Sequence, residues 1–335
     1  MKRITTYFFL FIVLLIQISS CKTDSAALMP MITGNAGELL VVAPEKYLNS
    51  ELGDSIKNIF TQQEIALPQY GTLDGETIFD LITVARPYFK DLFRSHRNII
   101  LVSISSEITE PKITIKNNYW SKGQLLITMD APNKESFIKL LDNKKDYLIN
   151  KFLNAERNRQ ISVNKKHENI AASQHLAKKH GFALNMPKGF NIDVDDENFV
   201  WISHKPKDML QNILVYYIDY PGPEVFNTEK IISIRDSVMK DKVPGEKDGS
   251  YLATERKFPI WSTELNIDDR YTYELRGLWM VEGDFMGGPF ICYCTVDESR
   301  NRLMFIEGFV FRPNKAKRNA LRKVESVMRT LKFTD

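Results

Sequence analysis

PNKESFIKLLDNKKDYLINKF, residues 132–152, and PNKAKRNALRKVESVMRTLKF, residues 313–333, align without a gap and share Pro132/Pro313, Asn133/Asn314, Lys134/Lys315, Leu140/Leu321, Lys151/Lys332 and Phe152/Phe333. In each, an Asn after a Pro is placed to cap a helix. The apolar positions (Phe137, Leu140, Leu141 and Leu148, then Leu321, Val324, Met328 and Leu331) trace one helical face. A hairpin pattern precedes each copy: 112–115 with 124–130 around Asn117-Asn118, and 289–296 with 303–311 around 297–301. Farther upstream, NIILVSI at 98–104 is echoed by NILVYYI at 212–218. These repeats predict an α+β protein of two diverged halves, each an antiparallel sheet covered by helices, joined by a long helix.

Working outward, residues 153–180 are polar and free of Gly and Pro, so they read as that helix, ending where Lys178, Lys179 and His180 suit its negative end and Gly181 is a ready C-cap. In the first half, GNAGELLVVAP (34–44) places Gly34 and Gly37 in a tight turn ahead of the strand 39–43. A helix at 50–63 follows, with Leu52, Ile56, Ile59 and Phe60 at helical spacing. A second amphipathic segment, 77–93, is broken near Pro87, and 98–104 is apolar enough for a strand buried on both faces. The organisation read is therefore 1–20 signal peptide, 21–33 flexible tether, 34–152 first half, 153–180 connecting helix and 181–335 second half.

The leader, YFFLFIVLLIQISSCKTDS at 7–25, follows a cationic Met1-Lys2-Arg3 start and has the order of an export signal. Its apolar run covers only about 15 Å of a hydrocarbon core roughly 30 Å thick, too short to span. Ile18-Ser19-Ser20-Cys21 resembles a bacterial lipobox, which implies diacylation of Cys21 and often a further palmitate-type chain on its amine. Two or more chains anchor stably where one does not. The alternative is an ordinary secretory signal with a chance cysteine. Asp24-Ser25-Ala26 fits a short O-glycosylation pattern, although the same pattern recurs at Asp54-Ser55-Ile56 and Asp236-Ser237-Val238.

The chain has 45 basic and 42 acidic residues, and loss of Lys2 and Arg3 with the leader brings it close to neutrality. No nucleic-acid partner or polybasic membrane footprint is indicated. Beyond Cys21 the only cysteines are Cys292 and Cys294. Two residues apart on a strand they share a face, and they read as small buried hydrophobes rather than a disulfide or a metal site.

No G-x-S-x-G elbow, H-E-x-x-H, Walker loop or Rossmann fingerprint is present, so no catalytic residue, metal site or cofactor is assigned. Two clusters remain as ligand or partner sites. FRSHRNII places Arg94, His96 and Arg97 at the mouth of a strand, where a guanidinium pair suits a carboxylate or phosphate and His96 would need a nucleophile beside it to act as a base. The plainer reading is helix capping and surface pairing. RGLWMVEGDFMGGPF (276–290) gathers Trp279 and Met286 around Gly287 and Gly288, as an apolar pocket edge or as a tight entry into a strand.

GNAGE (34–38), LPQ (67–69), RSHRNI (94–99), the 120–124 segment, RGLW (276–279), MGGPF (286–290) and GFVFRPNKAKR from Gly308 resemble an uncharacterised lipoprotein family of Bacteroidetes-type bacteria, whose domain carries no assigned activity. The resemblance spans the whole mature chain. It implies an envelope lipoprotein and supplies no cofactor or catalytic residue. The expectation is a non-catalytic protein, lipid-anchored at Cys21 to the periplasmic face of the outer membrane rather than the cell surface. It would bind an envelope protein or small ligand near the MGGPF loop and the 94–97 turn. The competing expectation is a motif-less hydrolase or transferase acting on envelope polymers.

Overall fold

Residues 39–43 are wholly buried in strand β1 (Glu38–Ala43), which requires a sheet covered on both faces. The computed structural model describes residues 29–334, so the leader, Cys21 and Ser25 lie outside the described residues. After β1 come the short helix α1 (Glu45–Leu48) and α2 (Glu51–Phe60). Ser50 caps α2 by accepting from the Leu52 amide at 3.3 Å, and Leu52, Ile56 and Phe60 form its buried stripe. Strands β2 (Asp80–Ala85), β3 (Asn98–Ile104), β4 (Lys112–Asn117) and β5 (Leu125–Ala131) complete a sheet ordered β2-β1-β3-β5-β4.

The direction of this first sheet corrects the expectation. Only the β4–β5 hairpin is antiparallel; β2, β3 and β5 run parallel to β1 and to one another. The segment at 77–93 is correspondingly strand β2 followed by two short 3₁₀ turns. Ile82, Thr83 and Val84 favour the strand, and it pairs with β1 along its whole length. Central β3 buries Ile100 and Val102 on one face and Ile99 on the other, matching its continuous apolar run.

Helix α3 (Lys134–Lys166) is a single element of 33 residues, capped by Asn133, whose side chain accepts from the Ser136 amide at 2.9 Å. Its first half lays Phe137, Leu141, Leu148 and Phe152 on the first sheet. The expected helix at 153–180 is broken at His167. A second helix, α4 (Ile170–His180), starts at the Asn169 cap and ends at Gly181, whose φ of +72° is the left-handed C-cap foreseen there.

The second half contains β6 (Phe182–Ala183), β7 (Asn191–Asp195), β8 (Phe199–His204), β9 (Leu210–Asp219), α5 (Thr228–Lys242), β10 (Tyr251–Thr254), β11 (Trp261–Ile267), β12 (Arg270–Glu282), β13 (Gly287–Asp297), β14 (Arg302–Phe311), α6 (Arg318–Met328) and β15 (Lys332–Phe333). Its main sheet is antiparallel, ordered β10-β12-β13-β14-β9-β8-β7 with β11 also on β12. Helices α4 and α6 cover one face and α5 the other, so Ile291 and Tyr293 enter one core while Phe290, Cys292 and Cys294 enter the opposite one. Both cysteines are free and buried, and burial pushes their thiols up.

The α+β class and the helix-joined halves are as the repeat predicts. In each half the echoed strand (β3, β9) lies beside the second strand of the hairpin (β5, β14), but parallel in the first and antiparallel in the second. Asn314 does not cap its helix: it sits at φ +56°, α6 starts four residues later, and its cap comes from the other half.

Deep under α5, Arg235 donates Nε to Glu307 Oε2 at 2.8 Å and Nη2 to Oε1 at 2.6 Å, with both side chains fully buried. Arg235→Met alone strands the Glu307 carboxylate and is expected to destabilise the protein by about 3–5 kcal/mol, whereas the double change with Glu307→Met recovers most of that loss. Urea denaturation of the two variants measures the difference.

Candidate functional site

Helix α6 is amphipathic in an unusual sense, because its outer face is charged yet covered. Ala320, Leu321, Val324, Val327 and Met328 pack on the second sheet. Arg318, Asn319 and Arg322 face the first half, and Glu325 and Ser326 meet Arg157 and Asn164 of α3. The Glu76 carboxylate caps the helix, accepting from the Lys317 amide at 2.7 Å and the Arg318 amide at 2.9 Å, where a negative group also complements the helix dipole. Arg318 forks onto Asp80 at 3.1 and 2.6 Å and donates to the Thr77 carbonyl. Arg322 reaches Glu64 and the Ile78 carbonyl.

The GNAGE turn completes this seam. Gly37 has φ +87°, and any Cβ there would meet the Arg318 guanidinium, so only glycine lets β1 begin this close to α6. Asn319 donates to the Ala36 carbonyl at 2.8 Å.

Between this seam and the polar second half of α3 lies a cleft of about 720 Å³. Eight cationic side chains line it (Arg97, Lys122, Arg157, Arg159, Lys166, Arg276, Arg322 and Lys323) against three carboxylates, Glu64, Glu156 and Glu325. Met31, Ile32, Leu153 and Val163 supply apolar wall. Another groove, of about 530 Å³, lies between α2 and the start of α3, but it is more open and its Lys134 is paired with Glu51 at 2.8 Å.

Two of the cleft carboxylates each accept from several donors. Glu156 accepts from Arg97 Nε and Nη2 at 2.8 and 2.7 Å, from Asn98 Nδ2 at 2.6 Å and from Arg159 Nη2 at 2.7 Å. Glu325 Oε1 accepts from Arg157 and Arg276, each at 3.1 Å, and from the Tyr293 hydroxyl at 2.8 Å. Burial would raise the Glu325 carboxyl, but Arg276, Arg157 and Arg329 outweigh it and hold the group far below the ordinary glutamate range.

The cations are not all satisfied in return. Arg157 Nε, Arg159 Nε and Arg322 Nη1 are buried donors without an acceptor among the described residues. Burial lowers the Arg159 guanidinium pKa; Glu156 opposes this and the like charge of Arg97 adds to it. Lys122, Lys166 and Lys323 make no side-chain hydrogen bond or ion pair among the described residues. The cleft therefore holds a surplus of positive charge and unused hydrogen-bond donors, a combination suited to a carboxylate or phosphate.

Of the sequence-predicted residues, Arg97 reaches this cleft, where it is committed to Glu156. Buried His96 sits behind it, with Nδ1 3.1 Å from the Asn98 carbonyl and Nε2 3.3 Å from Glu38. Neither ring nitrogen meets a hydroxyl or thiol. Arg94 is exposed, and its carbonyl accepts from Gln124 at 2.7 Å. The structure does not bring the MGGPF loop to this turn. Trp279 is buried against Phe309, and Met286 packs with the same core, on the α5 side of the second sheet. Gly287 and Gly288 pair with Met280 and Trp279 in the β12–β13 ladder. A Cβ on Gly288 would press on the Val310 carbonyl oxygen, so close strand approach explains that glycine.

The residues that sequence reasoning missed are Glu156, Arg157, Arg159, Arg322, Lys323 and Glu325. For the first three the signal was the lack of an apolar stripe in 153–166, which marks a helix stabilised by ion pairs against another surface; the α6 residues carried no local signal.

Residues 33–165 match the family described as "Domain of unknown function (DUF8532)" and residues 169–330 the family described as "Domain of unknown function (DUF4837)". The two matches meet at the turn between α3 and α4. No curated protein matches the chain. Among solved structures it is similar to cyanobacterial PsbP (CyanoP) from Synechocystis sp. PCC 6803, at 13% identity over 46% of this chain and 86% of that one, with a TM-score of 0.32. It is likewise similar to a mutant of protein Mog1, at 8% identity over 46% of this chain and 92% of that one, with a TM-score of 0.31. Likenesses at this level carry no argument about the cleft.

Glu325 gives the seam a pH dependence of defined sign. Its folded pKa lies below the ordinary 4.5, so its contribution is present above that pH and is lost as pH falls towards the folded value. Glu325→Gln is expected to be less stable than wild type at neutral pH, with a smaller further loss on acidification below 4.5. Thermal unfolding across an acid pH series checks both.

Proposed function

We propose that this is an exported lipoprotein, acylated at Cys21 and held at the periplasmic face of the outer membrane, that binds an anionic ligand in the cleft between its halves without transforming it. The observation that carries the binding reading is the cleft lining, with eight cations against three carboxylates. Such a field draws anions in and concentrates them. The competing hydrolase or transferase needs a carboxylate or histidine free to move a proton. Glu156 and Glu325 are instead occupied by guanidinium groups, and His96 faces Glu38 and a backbone carbonyl.

The lipid anchor is supported by the Ile18-Ser19-Ser20-Cys21 sequence and the short apolar run before it. Among the described residues no helix is long and apolar enough to cross a membrane.

Titration calorimetry of the purified mature chain with pyrophosphate and with citrate tests the binding reading. Binding is expected to weaken with added salt and to fall by about tenfold or more in Lys122→Glu/Lys323→Glu, two exposed or half-exposed cations outside the ion-pair network. Absence of binding by either probe, or affinity indifferent to both changes, overturns it. Mass spectrometry of the N-terminal peptide from cells reads acylation of Cys21 separately.

A further inference from the structure

The described residues begin at a corner that is more apolar than a water-facing surface needs. Residues 30–33 run beside the 91–96 turn and the 119–124 loop: the Lys122 amide donates to the Pro30 carbonyl at 2.9 Å, the Arg97 amide to the Thr33 carbonyl at 3.1 Å, and Thr33 Oγ1 to the Leu92 carbonyl at 3.4 Å. Trp120 links the neighbouring segments, its ring edge-on to Phe89 at 5.5 Å and to Tyr119 at 4.6 Å. On this corner Met31, Tyr88, Leu92, Phe93 and Tyr119 are 64, 67, 68, 36 and 46% exposed. Lys90, Arg94, Lys116 and Lys122 stand exposed among them, with the Lys116 ammonium 4.3 Å from the Tyr119 ring centre. Apolar side chains, tyrosines and a tryptophan rimmed by cations form the composition that settles at a bilayer interface.

The chain outside the described residues gives the corner its occupant. Eight peptide links join Cys21 to Met29, a reach of at most about 29 Å. A folded chain of this length is roughly 50 Å across. With Cys21 acylated, that reach keeps this corner near the membrane and puts the opposite face out of reach.

The geometry points to this corner as a membrane-docking surface, seated on the headgroup and upper acyl region of an anionic bilayer and orienting the anchored body. The inference rests on Cys21 as the point of attachment, and the test supplies that attachment chemically. The mature chain is coupled through Cys21 to a maleimide phospholipid in vesicles of phosphatidylethanolamine and phosphatidylglycerol with brominated acyl chains. Cys292 and Cys294 are buried and do not compete.

Bromine quenching of tryptophan fluorescence is expected, to be lost in Trp120→Phe, and to be sharply reduced in Leu92→Glu/Phe93→Glu while the protein stays coupled. Phe285→Glu, at a 99% exposed position on the β12–β13 turn, leaves it unchanged. Coupled protein without quenching, quenching that persists in Trp120→Phe, or equal sensitivity to the Phe285 and Leu92/Phe93 changes overturns the docking surface. A cellular Cys21 found unacylated would overturn the anchor reading alone, since the coupled vesicles still report on the corner.

Discussion

Helix α6 has two faces to satisfy, and the way the halves meet follows from how it satisfies them. Its apolar face closes the second core, leaving Arg318 and Arg322 pointing into the first half and Glu325 between Arg157 of α3 and Arg276 and Tyr293 of the second sheet. Removing such charges from water is costly unless each finds partners in good geometry. The 64–80 segment supplies them for Arg318 and Arg322, and Arg157 of α3 with Arg276 and Tyr293 of the second sheet supplies them for Glu325. Buried ion pairs contribute little net stability, so the attraction between halves comes from elsewhere. Leu67 is buried in the second-half core, and Tyr70 packs edge-on to Trp261 at 5.2 Å. What the ion pairs contribute is a single relative orientation, because forked guanidinium–carboxylate pairs tolerate little rotation.

That division explains how much could be read from the chain. Local codes were legible: the Asn133 cap, the Gly181 stop, both hairpins and the alternation around Cys292 and Cys294 all follow from side-chain period and turn chemistry. Long-range choices were not. Whether β3 runs parallel or antiparallel to β5 depends on which strand it joins, and an apolar run buried on both faces does not state its direction. Asn314 looked like Asn133, but the cap of α6 is Glu76, more than two hundred residues earlier, and no local pattern announces such a partner. The site was half legible for the same reason. Arg97 was visible as a cation at a strand mouth, whereas Arg157, Arg322 and Glu325 gain meaning only once α3 and α6 lie side by side.

The MGGPF element shows the converse error. Glycines, a proline and large apolar residues form a conspicuous string, and conspicuous strings invite functional readings. Here Gly288 allows β13 to pass under the Val310 carbonyl, and Trp279 and Met286 fill the core beneath α5. Composition alone does not separate an apolar pocket wall from a core strand, because both bury the same side chains.

The charge surplus in the cleft is the feature that stability leaves unexplained. A seam needed only to join two bodies would be most stable with its charges matched, and the Arg318–Asp80 and Arg235–Glu307 pairs show that this chain matches charges where it needs to. In the cleft, Arg97 and Arg159 instead share one carboxylate, and Arg157 shares Glu325 with Arg276, which also forks onto Glu274. Such crowding adds like-charge repulsion, as between Arg97 and Arg159, to the burial that is the main cause of the lowered Arg159 pKa. An anion bound between them would relieve that repulsion and engage donors now without acceptors. Met31 and Lys122 belong both to the cleft wall and to the corner at the tether, so an anion held there would also lie beside the surface nearest the anchor.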